Sequence, residues 1–116
     1  MLECAASRVI AARSEDAIAL IGAAAEQGAG LVALSVAALP EDFFRLRTGL
    51  AGQFLQKFVT YGVRVAILGD FEEWTAASVP LRDFIRESNR GSSVWFLRDQ
   101  EELRARLTKE LTGTAS

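Results

Sequence analysis

Histidine is absent from the 116 residues, and cysteine, methionine and tyrosine occur once each. Without an imidazole the chain lacks the side chain whose ordinary pKa suits proton transfer near neutrality, which excludes the usual Ser-His and Cys-His nucleophile pairs and most zinc sites. A single cysteine, Cys4, excludes an internal disulfide and a thiolate cluster within one chain, and it reads as an inert thiol near a terminus. The longest nearly apolar run, Ala17 to Ala25, is about half of what spans a bilayer, so no membrane span is expected. The opening Met-Leu-Glu-Cys carries an acid where a signal peptide has a basic region, and no apolar core with a cleavage site follows. The cytoplasm is the expected compartment. Excess positive charge is missing too. Thirteen basic against fifteen acidic residues give a net charge of -2, which offers no field to hold a phosphate backbone, so nucleic acid is not an expected partner. No cofactor or metal motif is present, and no catalytic residue is assigned.

What is present is a chain that is half apolar and about a quarter charged, with no repeat, linker or low-complexity segment. This fits one soluble domain over residues 1–116, with 112–116 as a frayed polar tail. In order, Arg8–Arg13 reads as a short buried strand. Ser14 stands as a helix cap before Glu15 and Asp16, and the apolar spacing from Ala17 to Ala25 carries a helix that stops at Gly28-Ala29-Gly30. Leu31–Val36 is a strand covered on both faces.

Pro40 to Tyr61 reads as one long helix, opened by Pro40, Glu41 and Asp42 and holding Phe43, Phe44, Phe54 and Phe58. Gly49 and Gly52 lie inside it on nearly the same face, either for close packing on the sheet or for a helix contact with a second subunit. Thr48-Gly49 is an alternative break point. The apolar positions exceed what one small sheet would bury, so Phe43, Phe44, Gly49, Gly52 and Phe54 are the candidate interface residues.

Val63–Gly69 is the next strand, with Asp70 at its C-terminal end, where open α/β sheets place ligands; turn chemistry is the competing account. Residues 71–77 read as a loop around Trp74. Ser78 and Pro80 open a helix with Leu81, Phe84, Ile85 and Ser88 inward, and with Arg82, Arg86 and Arg90 as an outer stripe interleaved with Asp83 and Glu87. Ser93–Leu97 is the fourth strand. Asp99 caps a last helix in which Leu103, Leu107 and Leu111 face inward and Glu102 pairs with Arg106. The order βαβαβαβα predicts an α/β domain with an about four-stranded, mainly parallel sheet and about four helices.

Three blocks carry a family resemblance. They are Asp42–Tyr61 (DFF-x-L-x-TGLAG-x-x-LQKF-x-x-Y), VAILGDF at Val65–Phe71 and LRDFIRESNRG at Leu81–Gly91. Together the chain resembles a bacterial domain-of-unknown-function family, the DUF4180 group, over roughly residues 16–107. The resemblance implies no established activity. Members of that group tend to carry acids where Arg45 and Gln53 stand here, and tend to begin with an additional strand. The element order is also similar to STAS domains of the anti-sigma-factor antagonist type, which implies a regulatory module that binds partner proteins. The phosphorylated hydroxyl that such antagonists carry has no counterpart in Ala-Leu-Pro-Glu-Asp-Phe-Phe, so a phospho-switch is not carried over.

Two functions are therefore expected from different classes. One is a non-enzymatic interaction or regulatory module that self-associates, as a dimer, and has a possible protein partner. The other is a small-molecule or anion binding domain, an enzyme being one form of it, with a site at the strand C-terminal ends formed by Asp70, Asp42, Glu87, Asn89 and Arg90.

Overall fold

The computed structural model describes residues 2–4 and 13–114. Three parallel strands, β2 (Leu31–Ser35), β3 (Arg64–Leu68) and β4 (Val94–Leu97), form the sheet, and β1 (Leu2–Cys4) runs parallel beside β2. The helices are α1 (Ser14–Glu26), α2 (Leu50–Tyr61), α3 (Glu72–Ala77), α4 (Val79–Arg90) and α5 (Gln100–Thr114). The expected first strand at Arg8–Arg13 falls mostly outside the described residues; the strand the structure does show is Leu2–Cys4. The strands stand side by side in chain order.

That order fixes where the helices lie. Each crossover steps in the same direction, and helices of one hand stepping one way must stack on one face. Pleating separates the strand residues accordingly. Val32, Leu34, Val65, Ile67 and Phe96 join α1, α2 and Leu81 of α4 in a large core, while Ala33, Ala66, Trp95 and Leu97 form a thinner one with Leu103 of α5. Helix α5 follows β4 and covers the other side. Its inward residues, Leu103 and Leu107, are those the spacing predicts.

The long helix from Pro40 is not one helix. Glu41–Phe44 and Leu46–Thr48 are tight 3₁₀ turns, and α2 begins only at Leu50. Gly49 sits between them at φ 73°, in the left-handed region where a Cβ is costly. The Thr48 hydroxyl organises this break. It lies 2.9 Å from the Asp42 carbonyl oxygen and 2.8 Å from that of Arg45, and accepts the Leu50 N–H at 3.2 Å. The Thr48-Gly49 alternative is therefore the observed one.

The break turns Phe43 and Phe44 back onto the sheet, where all seven phenylalanines of the chain form one connected network. It runs from Phe58 through Phe54, Phe43, Phe44 and Phe71 to Phe96 and Phe84, with centroid spacings of 5.2–6.1 Å. Trp74 stacks on Phe44 at 5.1 Å. Tilted and edge-to-face pairs of this kind add about 0.5–1.5 kcal/mol each beyond their area.

Other local expectations were refined. Ser14 is the first helical residue of α1, and the Asp16 carboxylate does the capping by accepting the Arg13 N–H at 3.1 Å. Ser78 caps α4 through the Leu81 N–H at 3.2 Å, and Asp99 caps the start of α5 through the Glu102 N–H at 2.9 Å. Residues 72–77, expected as loop, are helical, because Asp70 nucleates the turn and Trp74 anchors it on Phe44. Helix α5 continues through residues 112–114, past the expected start of the tail.

Gly69 is held by packing. At φ 155°, a Cβ added there would lie 2.7 Å from Val36 Cβ and would overlap one of its methyl groups. Gly69→Ala is expected to cost roughly 1–3 kcal/mol in urea unfolding, by the usual penalty of overpacking. Val36→Ala in the same background should recover part of that loss, giving a coupled double-mutant cycle.

Candidate functional site

Five residues were candidates for one ligand site, and the fold does not bring them together. Asp70 follows the C-terminal end of β3, whereas Glu87, Asn89 and Arg90 close α4 immediately before the start of β4. Since β3 and β4 run parallel, Arg90 lies toward the strand N-terminal ends and Asp70 beyond the C-terminal ends, about 16 Å apart along the strands at roughly 3.3 Å per residue, whereas the Asn89 side chain lies alongside Phe96, the register partner of Ile67. The sequential strand order also has no reversal, so the topological switch point that opens a crevice in doubly wound sheets is not formed among the described strands.

Each candidate also has a local employment. Asp70 accepts the Glu72 N–H at 2.9 Å, an Asx turn that starts α3. Asp42 pairs with Arg45 at 3.2 Å, and Glu41 pairs with the same guanidinium at 3.4 Å. Glu87 pairs with Arg90 at 3.4 Å across an exposed turn of α4. Such exposed pairs are worth about 0–1 kcal/mol.

Asn89 does more. Its amide nitrogen donates to the Phe96 carbonyl at 3.1 Å, and its amide oxygen accepts the Phe96 N–H at 2.7 Å. Phe96 is on β4, the last strand of the sheet, and its backbone groups point away from β3. The side chain of Asn89 therefore occupies the place of a neighbouring strand at an otherwise open edge, which protects that edge from pairing with another chain.

A second set of contacts locks the same corner. Three carbonyls at the end of α4 and in the following turn are covered by side-chain donors. Arg106 Nη2 of α5 donates to the Asn89 carbonyl, Trp95 Nε1 to that of Gly91 and Arg64 Nε to that of Ser92, all at 2.8 Å. The guanidinium carbons of Arg64 and Arg106 lie 4.5 and 4.6 Å from the centroid of the Trp95 ring, within cation–π range. The expected Glu102–Arg106 pair on the helix surface is replaced by this inward contact, because Arg106 finds a carbonyl and an aromatic face that Glu102 cannot offer. Arg82 and Arg86 remain exposed on the outer face of α4, in keeping with a solvated mixed-charge surface.

Three of the open clefts border these elements. One of about 480 Å³ lies at the C-terminal ends of β3 and β4, where Asp70, Glu72 and Glu102 outnumber Arg98. One of about 560 Å³ lies beside the Phe44–Trp74 stack, bordered by Arg45, Arg47 and Pro80. The third, of about 760 Å³, opens at the start of β4 over Trp95, with Arg90, Ser92, Arg106 and Lys109 on its walls. Sequence spacing did not single out Trp95 or Ser92, and it assigned Arg106 to Glu102, since α5 and the turn before β4 converge only in the fold; the Trp in a strand preceded by Gly91-Ser92-Ser93 was the one signal available.

The candidate interface set also changes. Phe43, Phe44 and Phe54 are 1%, 4% and 0% exposed in the single chain, so their surface is spent on its own core and is closed to a subunit contact. The apparent surplus of apolar residues was an error of geometry: the broken helix gives those rings a sheet face and one another to bury against. Gly49 serves the turn before α2. Only Gly52 of that set lies exposed, on the outer side of α2.

Among the described residues no polar or charged residue is buried, no acid, cysteine or histidine group is arranged to hold a metal ion, and no helix is long and apolar enough to cross a membrane. The molecule is thus a small parallel α/β domain wound to one side, with a staple of polar bonds closing one edge. Residues 1–107 match the family model described as a domain of unknown function, DUF4180, and the chain belongs to that family. Comparison with curated proteins and with solved structures returns no match.

The staple is open to a direct test. Asn89→Ala removes two hydrogen bonds and leaves the Phe96 edge groups bare. It is expected to cost about 2–3 kcal/mol in urea unfolding, at roughly 1 kcal/mol per bond plus the unpaired groups, and to raise light scattering on heating. Asn89→Asp keeps the acceptor but places a carboxylate against the Phe96 carbonyl, and should be no better than Asn89→Ala.

Proposed function

We propose that this domain is a non-enzymatic interaction module that self-associates through the outer face of α1 and α2. The observation that carries this reading is the position of the exposed apolar side chains. Of the large ones among the described residues, Ile18 is 48% exposed on α1, Val59 is 45% and Tyr61 59% exposed on α2, and Val79 alone lies elsewhere. Helices α1 and α2 are neighbours in the same layer, so Ile18 and Val59 stand on adjacent helices. Gly22 and Gly52 stand exposed on these helices with open space where a Cβ would lie, which lets a second backbone approach closely. A second copy is the simplest occupant, because a twofold interface uses the same patch on both subunits.

A regulatory role draws only on the similarity of element order to STAS domains, a fold-level analogy. The expectation of a dimer is thereby kept, with its surface moved from the buried phenylalanines to Ile18, Gly52 and Val59.

Sedimentation equilibrium across micromolar protein concentrations tests it. The natural chain should show a dimer that dissociates on dilution, and Val59→Glu combined with Ile18→Lys should be monomeric with an unchanged melting temperature. A natural chain that stays monomeric at the highest concentration, or a double variant that dimerises equally well, would sink the proposal.

A further inference from the structure

The cleft over Trp95 has a chemistry that the turn and edge bonds do not use up. Among the described residues its walls carry Arg90, Arg106 and Lys109 and no carboxylate. Three carbonyls of this corner, those of Asn89, Gly91 and Ser92, already accept bonds from Arg106, Trp95 and Arg64. Their partial charge is covered. Ser92 lines the same cleft. Among the described residues, neither the backbone N–H of Ser92 nor its hydroxyl has a hydrogen-bond partner.

Arg106 is held in place by one bond to Asn89 and by the indole beneath it. Only Nη2 is spoken for in that bond, so its fixed fork retains further N–H groups. Arg90 flanks the same opening and has only its exposed pair with Glu87. A cluster of pre-positioned guanidinium and backbone donors with free valence is the arrangement that recognises a phosphate group, which offers several acceptor oxygens and about two negative charges. At about 760 Å³ the cleft also has room for an organic body beyond the phosphate itself. Among the described residues the large exposed apolar side chains, Ile18, Val59, Tyr61 and Val79, do not line the cleft. A small water-soluble ligand fits better than a lipid headgroup.

We infer that the cleft at the start of β4 binds a soluble phosphomonoester, with the phosphate seated on the Ser92 N–H and hydroxyl between Arg90 and Arg106. This site is independent of the α1–α2 surface. It relocates anion binding from the strand C-terminal ends, where the cleft is acidic, to the N-terminal end of β4.

Amide and indole N–H resonances followed by NMR during titration with inorganic phosphate test the inference, with sodium chloride at matched ionic strength as the control. Shifts should centre on the Ser92 amide and the Trp95 indole and saturate with a Kd of about 1 mM or tighter. Arg106→Ala is a poor probe because it also uncovers α4 and Trp95. Ser92→Asp places a negative charge in an exposed turn and should abolish the shifts while leaving the melting temperature unchanged, and Arg90→Ala should weaken binding about tenfold, the worth of one charge-assisted bond. Absence of saturable shifts at these groups, identical shifts with chloride, or undiminished binding by Ser92→Asp would each overturn the site.

Discussion

The aromatic network is the constraint on which the rest of this domain depends. Seven phenylalanine rings drawn from the turn after β2, from α2, from the segment after β3, from α4 and from β4 touch in an unbroken path. A sheet with short parallel strands has little area of its own to bury, and the rings supply the volume between it and its single layer of crossover helices. Truncation of a ring this deeply packed typically costs about 3–5 kcal/mol, a large share of a small domain's stability. The network exists only because Thr48 and Gly49 fold the preceding turns back toward the sheet. One hydroxyl and one left-handed glycine thus decide whether Phe43 and Phe44 are core or surface.

The same economy shapes the other end of the molecule. Sequential winding puts three crossover helices on one side and leaves α5 to cover the reverse alone, over a strand row that pairs Ala33 and Ala66 with the bulk of Trp95. The indole fills what two alanines leave open, and its N–H secures the turn that leads into β4. Arg106, brought in by α5, then does two jobs with one side chain. It covers the indole and closes the end of α4. The residues Glu87 to Gly91, which have more hydrogen-bonding groups than a helix end needs, gain a structural account through Asn89, whose amide acts as a one-residue strand on the free edge. Arg90, Ser92 and Arg106 line the cleft above Trp95, the proposed anion site.

Function in this family domain is therefore read from surfaces. The described interior contains no polar residue, so the fold's chemistry lies where it meets solvent: an apolar side on α1 and α2, and a cationic corner at the start of β4. They sit on different elements, and each can be removed without the other.

The alternation of strand and helix was legible because it is written locally. Short apolar runs at Leu31, Val63 and Val94 and helical spacing from Ala17, Leu81 and Leu103 set the element types, and Ser78 and Asp99 act within three residues of themselves. The family membership was legible for the same reason, in contiguous blocks from Asp42 onward. What local pattern could not decide was any choice settled by a distant partner. Periodicity through Phe43 to Phe58 is compatible with one helix, and only the competition between a straight α-helix and a sheet face to bury broke it at Gly49. Spacing paired Arg106 with Glu102, but the tertiary fold offered it Asn89 and Trp95. Asp70 and Arg90 looked like partners in one site because both border strands; the parallel direction of β3 and β4 placed them at opposite ends. Local hydrogen bonds and burial period are properties of a short segment, whereas convergence of side chains is a property of topology, and no single segment carries it.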